Sequence, residues 1–310
     1  MITLRRAAVV AAVLGGAIVA AGSAQAEPSV ERGQYLVDGL AACGNCHTPR
    51  LPDQSFDTAK YLAGGFEFNE LPAFQAFARN ITPDVDTGIG SWTEQEIVDA
   101  IREGHTPEGE TVGPPMPVGM YNLMSDDDAM SIALYLKSIP AVFNEVPEAT
   151  YNIPKGEYGP APGGPTPSPD DPVAYGGYLA TVAHCFDCHT PRNEDGSPDF
   201  SRAGAGGFLM QALPNGEAVY SANITSDEAT GVGGWSDEAL ARAIAGGVSS
   251  NGHILFPIMP AAFFDNATDE DIAAIIAWLR TVPAVSNDIE QVDWMAALGM
   301  PPMQNAPELP

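Results

Sequence analysis

The sequence predicts an all-α protein assembled from two copies of one helix-and-loop domain. Three observations carry that expectation. The chain aligns with itself at an offset of 142 to 143 residues, the signature of an internal duplication. Helix start and stop signals fall at matching places in the two copies, and no stretch shows the apolar alternation of a half-buried strand. At 310 residues the chain is also longer than one ordinary domain and fits two.

Read from the N-terminus, residues 1–26 are a secretory leader: Arg5 and Arg6 precede the apolar run Ala7 to Ala21, which ends in the small-residue site Ala24-Gln25-Ala26. That run is short for a membrane span, and no later stretch is apolar enough to be one. The mature chain is therefore expected in the periplasm, an uncleaved leader acting as an anchor being the alternative. Net charge is −27 for the whole chain and −29 without the two leader arginines. Such acidity argues against nucleic acid and anionic membranes, and favours solubility or a basic docking partner, a solvated acidic surface without a partner being the competing reading.

The first domain spans 27–143 and the second 173–290, with a Pro/Gly-rich linker at 144–172 and a C-terminal tail at 291–310. RGQYLVDGLAACGNCHTPR (32–50) matches YGGYLATVAHCFDCHTPR (175–192). Further on, Thr93 and Glu96 form a capping box ahead of Ile97 and Ile101, and Gly104 can stop that helix; Ser236, Leu240, Ile244 and Gly247 repeat the plan. Each last helix begins at Ser125 or Thr268, carries the stripe Ala129, Ile132, Ala133, Leu136 or Ile272, Ile275, Ile276, Leu279, and is closed by Pro140 or Pro283. The i, i+3, i+4, i+7 spacing gives one buried face.

All four cysteines lie in two Cys-x-x-Cys-His motifs, CGNCH at 43–47 and CFDCH at 185–189. On a helical turn two cysteines three apart face the same way, so both thiols can reach one porphyrin edge while the next residue offers an imidazole to the metal. This is the attachment pattern of c-type haem. A lone copy could be a disulfide or a zinc site, but two copies in an exported duplication predict two covalently attached c-type haems. Cys43, Cys46 and His47 would hold one, and Cys185, Cys188 and His189 the other. For the second axial ligand the duplication selects among the candidates. His105, Met120 and Met124 map onto Val248, Phe263 and Ala267, whereas Met116 maps onto Met259, both in a Met-Pro setting. His47 to Met116 is 69 residues and His189 to Met259 is 70. His184 and His253 have no histidine counterpart and read as packing or surface residues.

RGxYL before each motif, CHTPR, NIT followed by TGIG or TGVG and Trp, and the Met-Pro loop before the last helix together resemble the class I cytochrome c family. The resemblance is to the cytochrome c subunits of periplasmic alcohol, gluconate and related sugar dehydrogenases, and it covers nearly all of both copies. It implies two tandem class I cytochrome c domains, each wrapping one haem. It also implies that Arg50, Arg192, Asn80 and Asn223 lie near the haems and contact the propionates, and that Trp92 and Trp235 pack against them, ordinary structural packing being the competing reading. Those subunits usually carry three haems where this chain has motifs for two, which leaves the partner open.

A His/Met pair closes both axial positions, and methionine raises the potential. The expected function is one-electron relay, from a periplasmic dehydrogenase as donor to a cytochrome or terminal oxidase as acceptor, with no catalytic residues of its own. The alternative is a dihaem redox enzyme, peroxidase-like or thiosulfate-oxidising. The first needs an open iron, and the second needs a fifth cysteine that the chain lacks.

Overall fold

The computed structural model describes residues 27–52 and 54–300. The leader read at 1–26 and residues 301–310 of the tail lie outside the described residues. Two halves repeat one order of elements. The first runs α1 (Val30–Asp38), α2 (Cys43–His47), β1 (Glu67–Glu70), β2 (Phe74–Phe77), α3 (Glu94–Arg102), α4 (Val118–Tyr121), α5 (Asp126–Ser138) and β3 (Thr150–Tyr151). The second runs α6 (Pro172–Val182), α7 (Cys185–His189), β4 (Leu209–Ala212), β5 (Ala218–Tyr220), α8 (Asp237–Ile244), α9 (Ala261–Phe264), α10 (Asp269–Leu279) and α11 (Trp294–Ala297).

The helix boundaries follow from local chemistry. Thr93 and Glu96 make both bonds of the capping box, and Ser125, Thr268 and Ser236 each accept from a backbone N–H three residues on, satisfying donors that a helix start leaves unpaired. Three acidic residues follow each of Ser125 and Thr268, where they complement the helix dipole. Gly104 and Gly247 take φ +69° and +63° just past α3 and α8, a left-handed turn that glycine makes without strain. In each half the first helix crosses the last. A Cβ on Gly33 would overlap the Ser131 carbonyl oxygen, and one on Gly176 the Ala274 carbonyl, so the crossing depends on two glycines at equivalent positions.

Two features depart from the expected all-α architecture and free linker. Antiparallel hairpins β1–β2 and β4–β5 are present, and β3 adds a third strand to the first. They are only two to four residues long; β1 and β4 are mostly exposed, and β2, which buries Phe74 and Ala76, is too short for its alternation to stand out in the sequence. Residues 144–172 are docked on the first half: Asn144 Nδ2 donates to the Ala63 carbonyl at 2.9 Å, Tyr151 Oη to that of Pro114 at 2.9 Å, and Ala161 N to Glu103 at 3.0 Å. The chain after α10 does the same on the second half, with Asn287 Nδ2 on the Ala205 carbonyl and Trp294 Nε1 on that of Ile254, both at 2.9 Å. Each half thus ends in a strap, and the duplication runs past the point where sequence identity fades.

One hydrophobic core is shared by both halves, running from Leu36, Val37 and Leu40 through Ile132 and Leu136 to Tyr178, Leu179, Ile275 and Leu279. Across the seam two tyrosines reach reciprocally: Tyr35 Oη donates to Asp271 at 2.5 Å and Tyr178 Oη to Asp128 at 2.5 Å. Asp128 also accepts Arg32 Nε at 2.8 Å and Nη2 at 2.9 Å. Both aspartates are buried, so their charge needs these donors.

Candidate haem site

Each motif opens on a residue in the left-handed region, Ala42 at φ 47° and His184 at φ 43°. That kink breaks the chain away from the preceding helix and starts a one-turn helix, α2 or α7, held by Asn45 N on the Ala42 carbonyl and Asp187 N on that of His184. Each one-turn helix holds the two cysteines and the histidine of one motif. All four thiols are free. Burial pushes Cys43, Cys185 and Cys188 up to about 12 and Cys46 up to about 11, so they are neutral thiols rather than thiolates.

The histidines carry the most informative geometry. His47 Nδ1 lies 2.7 Å from the Arg79 carbonyl oxygen, and His189 Nδ1 lies 2.7 Å from that of Ala222. A carbonyl can only accept, so Nδ1 bears the proton and Nε2 keeps its lone pair. This is the arrangement by which a ligating imidazole is oriented and its tautomer fixed. Desolvation holds both imidazoles below the ordinary histidine range, which keeps them neutral and able to ligate. Met116 and Met259 are half-buried against the same core as Cys43 and Cys185, each two residues before a short helix, α4 or α9. Among the described residues no three His, Cys, Asp or Glu side chains cluster as a metal site; each motif presents two thiols and one imidazole. That donor set fits a haem joined by two thioethers and ligated on one face.

The residues expected around the haem divide. Arg50 lies under Phe56 at 3.5 Å and donates to Asn45 Oδ1 at 3.0 Å; Arg192 lies over Phe208 at 4.6 Å and donates to the Asp187 carbonyl at 2.8 Å. Both thereby brace the attachment turn. The propionate contact expected of Asn80 and Asn223 gives way to a loop role. Asn80 Nδ2 donates to Thr87 Oγ1 and the Val142 carbonyl while its Oδ1 accepts from Thr82 N and Oγ1. Asn223 repeats this with Thr230, Val285 and Thr225. An amide with two donors and two acceptor sites has none left. Trp92 and Trp235 are half-buried, and their carbonyls are held by Lys137 Nζ at 2.7 Å and Arg280 Nη2 at 2.6 Å.

Sequence reasoning missed the aromatic lining. Gly44 has no room for a Cβ beside Tyr61 of its own half and Phe263 of the other, and Tyr61 Oη donates to Asp38 at 2.6 Å. Tyr121 and Phe263 sit opposite the first motif, and only the shared seam brings Phe263 there. Of the other histidines, His105 is 3.8 Å from Glu103 and His253 lines a small pocket with Trp294.

Comparison with known proteins bears on these turns directly. The family model for Cytochrome c matches residues 173–283. The second half of this chain is a cytochrome c domain. Covalent haem is the cofactor of that family, and the family's attachment motif lies here at Cys185, Cys188 and His189. Over 290 residues the chain is 30% identical to the fructose dehydrogenase cytochrome subunit of Gluconobacter japonicus, covering 88% of this chain and 57% of that one. It is 28% identical to the cytochrome c subunit of the quinone-type alcohol dehydrogenase of Gluconobacter oxydans, covering 89% and 60%. A diheme cytochrome c-type protein of Cereibacter sphaeroides is 37% identical over 117 residues, 37% of each chain. The chain thus spans less than two thirds of the length of the two dehydrogenase subunits.

Proposed function

We propose that this chain is a periplasmic dihaem cytochrome c of two tandem domains, 27–143 and 173–290, passing single electrons from a dehydrogenase to a later cytochrome or terminal oxidase. The observation that carries it is the duplicated histidine: in both halves Nδ1 is committed to a backbone carbonyl at 2.7 Å, leaving Nε2 for iron next to two free thiols. Cys43 with Cys46 and Cys185 with Cys188 anchor the two groups. His47 and His189 would supply one ligand to each haem iron, and Met116 and Met259 the second. Bound haem supplies one-electron exchange between ferric and ferrous iron. The chain supplies burial, two closed axial positions and a fixed separation of the two sites. Residues 1–26 direct export, and the acidic surface suits a basic docking face. Dehydrogenase cytochrome subunits among the relatives favour a dehydrogenase as donor.

The test is an absorption spectrum of the exported protein with a haem count, oxidised and reduced, with and without carbon monoxide. Two covalent haems, a methionine-to-iron band and indifference to carbon monoxide are expected. Carbon monoxide binding at either haem would remove the closed-site relay and point to the enzymatic alternative. Replacing Met116 or Met259 by alanine should lower one haem's potential and open it to carbon monoxide; an unchanged potential in both variants refutes the methionine assignment.

A further inference from the structure

The seam between the halves brings the two attachment turns together. Tyr121, buried to 4% exposure, contacts the chain just before each motif. Its hydroxyl donates to the Ala41 carbonyl at 3.0 Å, two residues before Cys43. Its ring meets the imidazole of His184 edge to face, centroids 6.0 Å apart at 86°, within the range of a real aromatic contact. His184 is bonded directly to Cys185. A continuous run therefore connects the cysteines: Cys43, Ala42, Ala41, a hydrogen bond, the Tyr121 ring, the His184 ring, Cys185.

We propose that Tyr121 and His184 form a bridge that couples the two haem attachment turns, and that one-electron transfer between the sites runs through it. The inference rests on the dihaem reading above. Bonds and hydrogen bonds transmit electronic coupling better than gaps, and this run crosses the seam with one hydrogen bond and one ring contact. In each transfer one ferrous iron is oxidised and one ferric iron reduced. Tyr121 and His184 lend orbitals only and neither gains nor loses an electron or a proton. Burial raises the Tyr121 hydroxyl well above the ordinary tyrosine value, so it stays protonated and keeps its bond to Ala41. The duplication makes the bridge one-sided. At the corresponding positions stand Phe264, without a hydroxyl, and Ala42, without a ring.

That asymmetry supplies substitutions the fold already accepts. Tyr121→Phe installs the residue of the other half and removes only the hydrogen bond; His184→Ala installs the residue that holds the same left-handed φ before Cys43. The experiment uses the full protein carrying both haems. Haem content, both reduction potentials and the denaturation midpoint are measured first. A photoexcited flavin then injects one electron, and its redistribution between the haems is timed. Each variant is expected to keep two haems and, at the driving force given by its own two measured potentials, to slow redistribution several-fold. The double variant is expected to be no slower than the slower single one, because both cut the same run; independent packing defects would multiply. Wild-type rates in both variants, or multiplying effects in the double variant, overturn the bridge. Fewer than two haems in the wild-type protein would instead remove the dihaem reading beneath it.

Discussion

Removing the Tyr178 hydroxyl and removing the Asp128 carboxylate should cost different amounts, because the first breaks a bond across the seam and the second also strips the Arg32 ion pair within the first half. Asp128 is 3% exposed and accepts from Tyr178 at 2.5 Å and from Arg32 at 2.8 and 2.9 Å. Tyr178→Phe deletes one hydrogen bond to a charged acceptor, about 1.5–3 kcal/mol, and with it the hydroxyl that Ser125 N and Oγ meet at 3.3 and 3.0 Å, while the carboxylate keeps its bidentate arginine. Asp128→Ala leaves Arg32 without its partner and Tyr178 without its acceptor. Breaking a buried pair from one side costs about 3–5 kcal/mol. The Arg32 side chain retains 27% exposure, so water recovers part of that and a loss near the low end, about 3 kcal/mol, is expected. Guanidinium denaturation followed by circular dichroism at neutral pH measures both variants. Because the core is continuous across the seam, the wild-type protein should unfold in one transition. Equal losses for the two variants would show that Arg32 contributes nothing, and two separate wild-type transitions would show that the seam does not couple the halves.

Gly33→Ala and Gly176→Ala should each destabilise by about 1–3 kcal/mol or more, since the obstructing atoms are backbone carbonyls at a helix crossing; a neutral result in denaturant melts would refute the crossing geometry. Burial and the hydrogen bond to Asp271 push Tyr35 up to about 12, against an unfolded value of about 10. The folded state therefore holds that proton more tightly than the unfolded one. Its contribution is whole below about pH 10 and falls as pH rises through about 12. Denaturation midpoints should drop across that window, and less steeply in Tyr35→Phe; an identical slope in the variant would refute the assignment. Trp294→Phe removes the bond to the buried Ile254 carbonyl and should cost about 0.5–1.5 kcal/mol, read as a shift in the thermal midpoint; no shift would mean the strap is not held there.

What the sequence made legible was whatever the duplication wrote twice in the same letters: the Cys-x-x-Cys-His turns, the Ser, Thr and Gly boundaries of α3, α5, α8 and α10, and the Met-Pro loops. The straps escaped because their equivalence is physical rather than literal. Asn144 and Asn287 agree, but Tyr151 and Trp294 perform the same docking with different chemistry, and a segment rich in Pro and Gly gives no periodic signal. The two readings of the asparagines stayed open in the sequence for a related reason. Asn80 and Asn223 recur near the haem motifs, yet recurrence alone cannot separate a residue that touches a cofactor from one that folds a loop beside it; the spent amide valences separate them. The seam was beyond reach because Tyr35–Asp271 and Tyr178–Asp128 join residues that look unremarkable in either copy alone.

Read across the duplication, the two kinds of position do different work. Pairs that stayed the same, Gly33 and Gly176, Tyr35 and Tyr178, Asp128 and Asp271, make the two halves fold alike and clasp each other. Pairs that differ gather at the attachment turns: Gly44 against Phe186, Ala42 against His184, Tyr121 against Phe264. Gly44 admits Tyr61 and Phe263 against the first turn, whereas Phe186 packs on Trp278 at 5.0 Å beside the second. Side chains around a haem set its hydration and polarity, and those set its potential. Two sites with identical anchors and unlike surroundings are what directional transfer between them requires, since an electron settles on one of two haems only where their potentials differ.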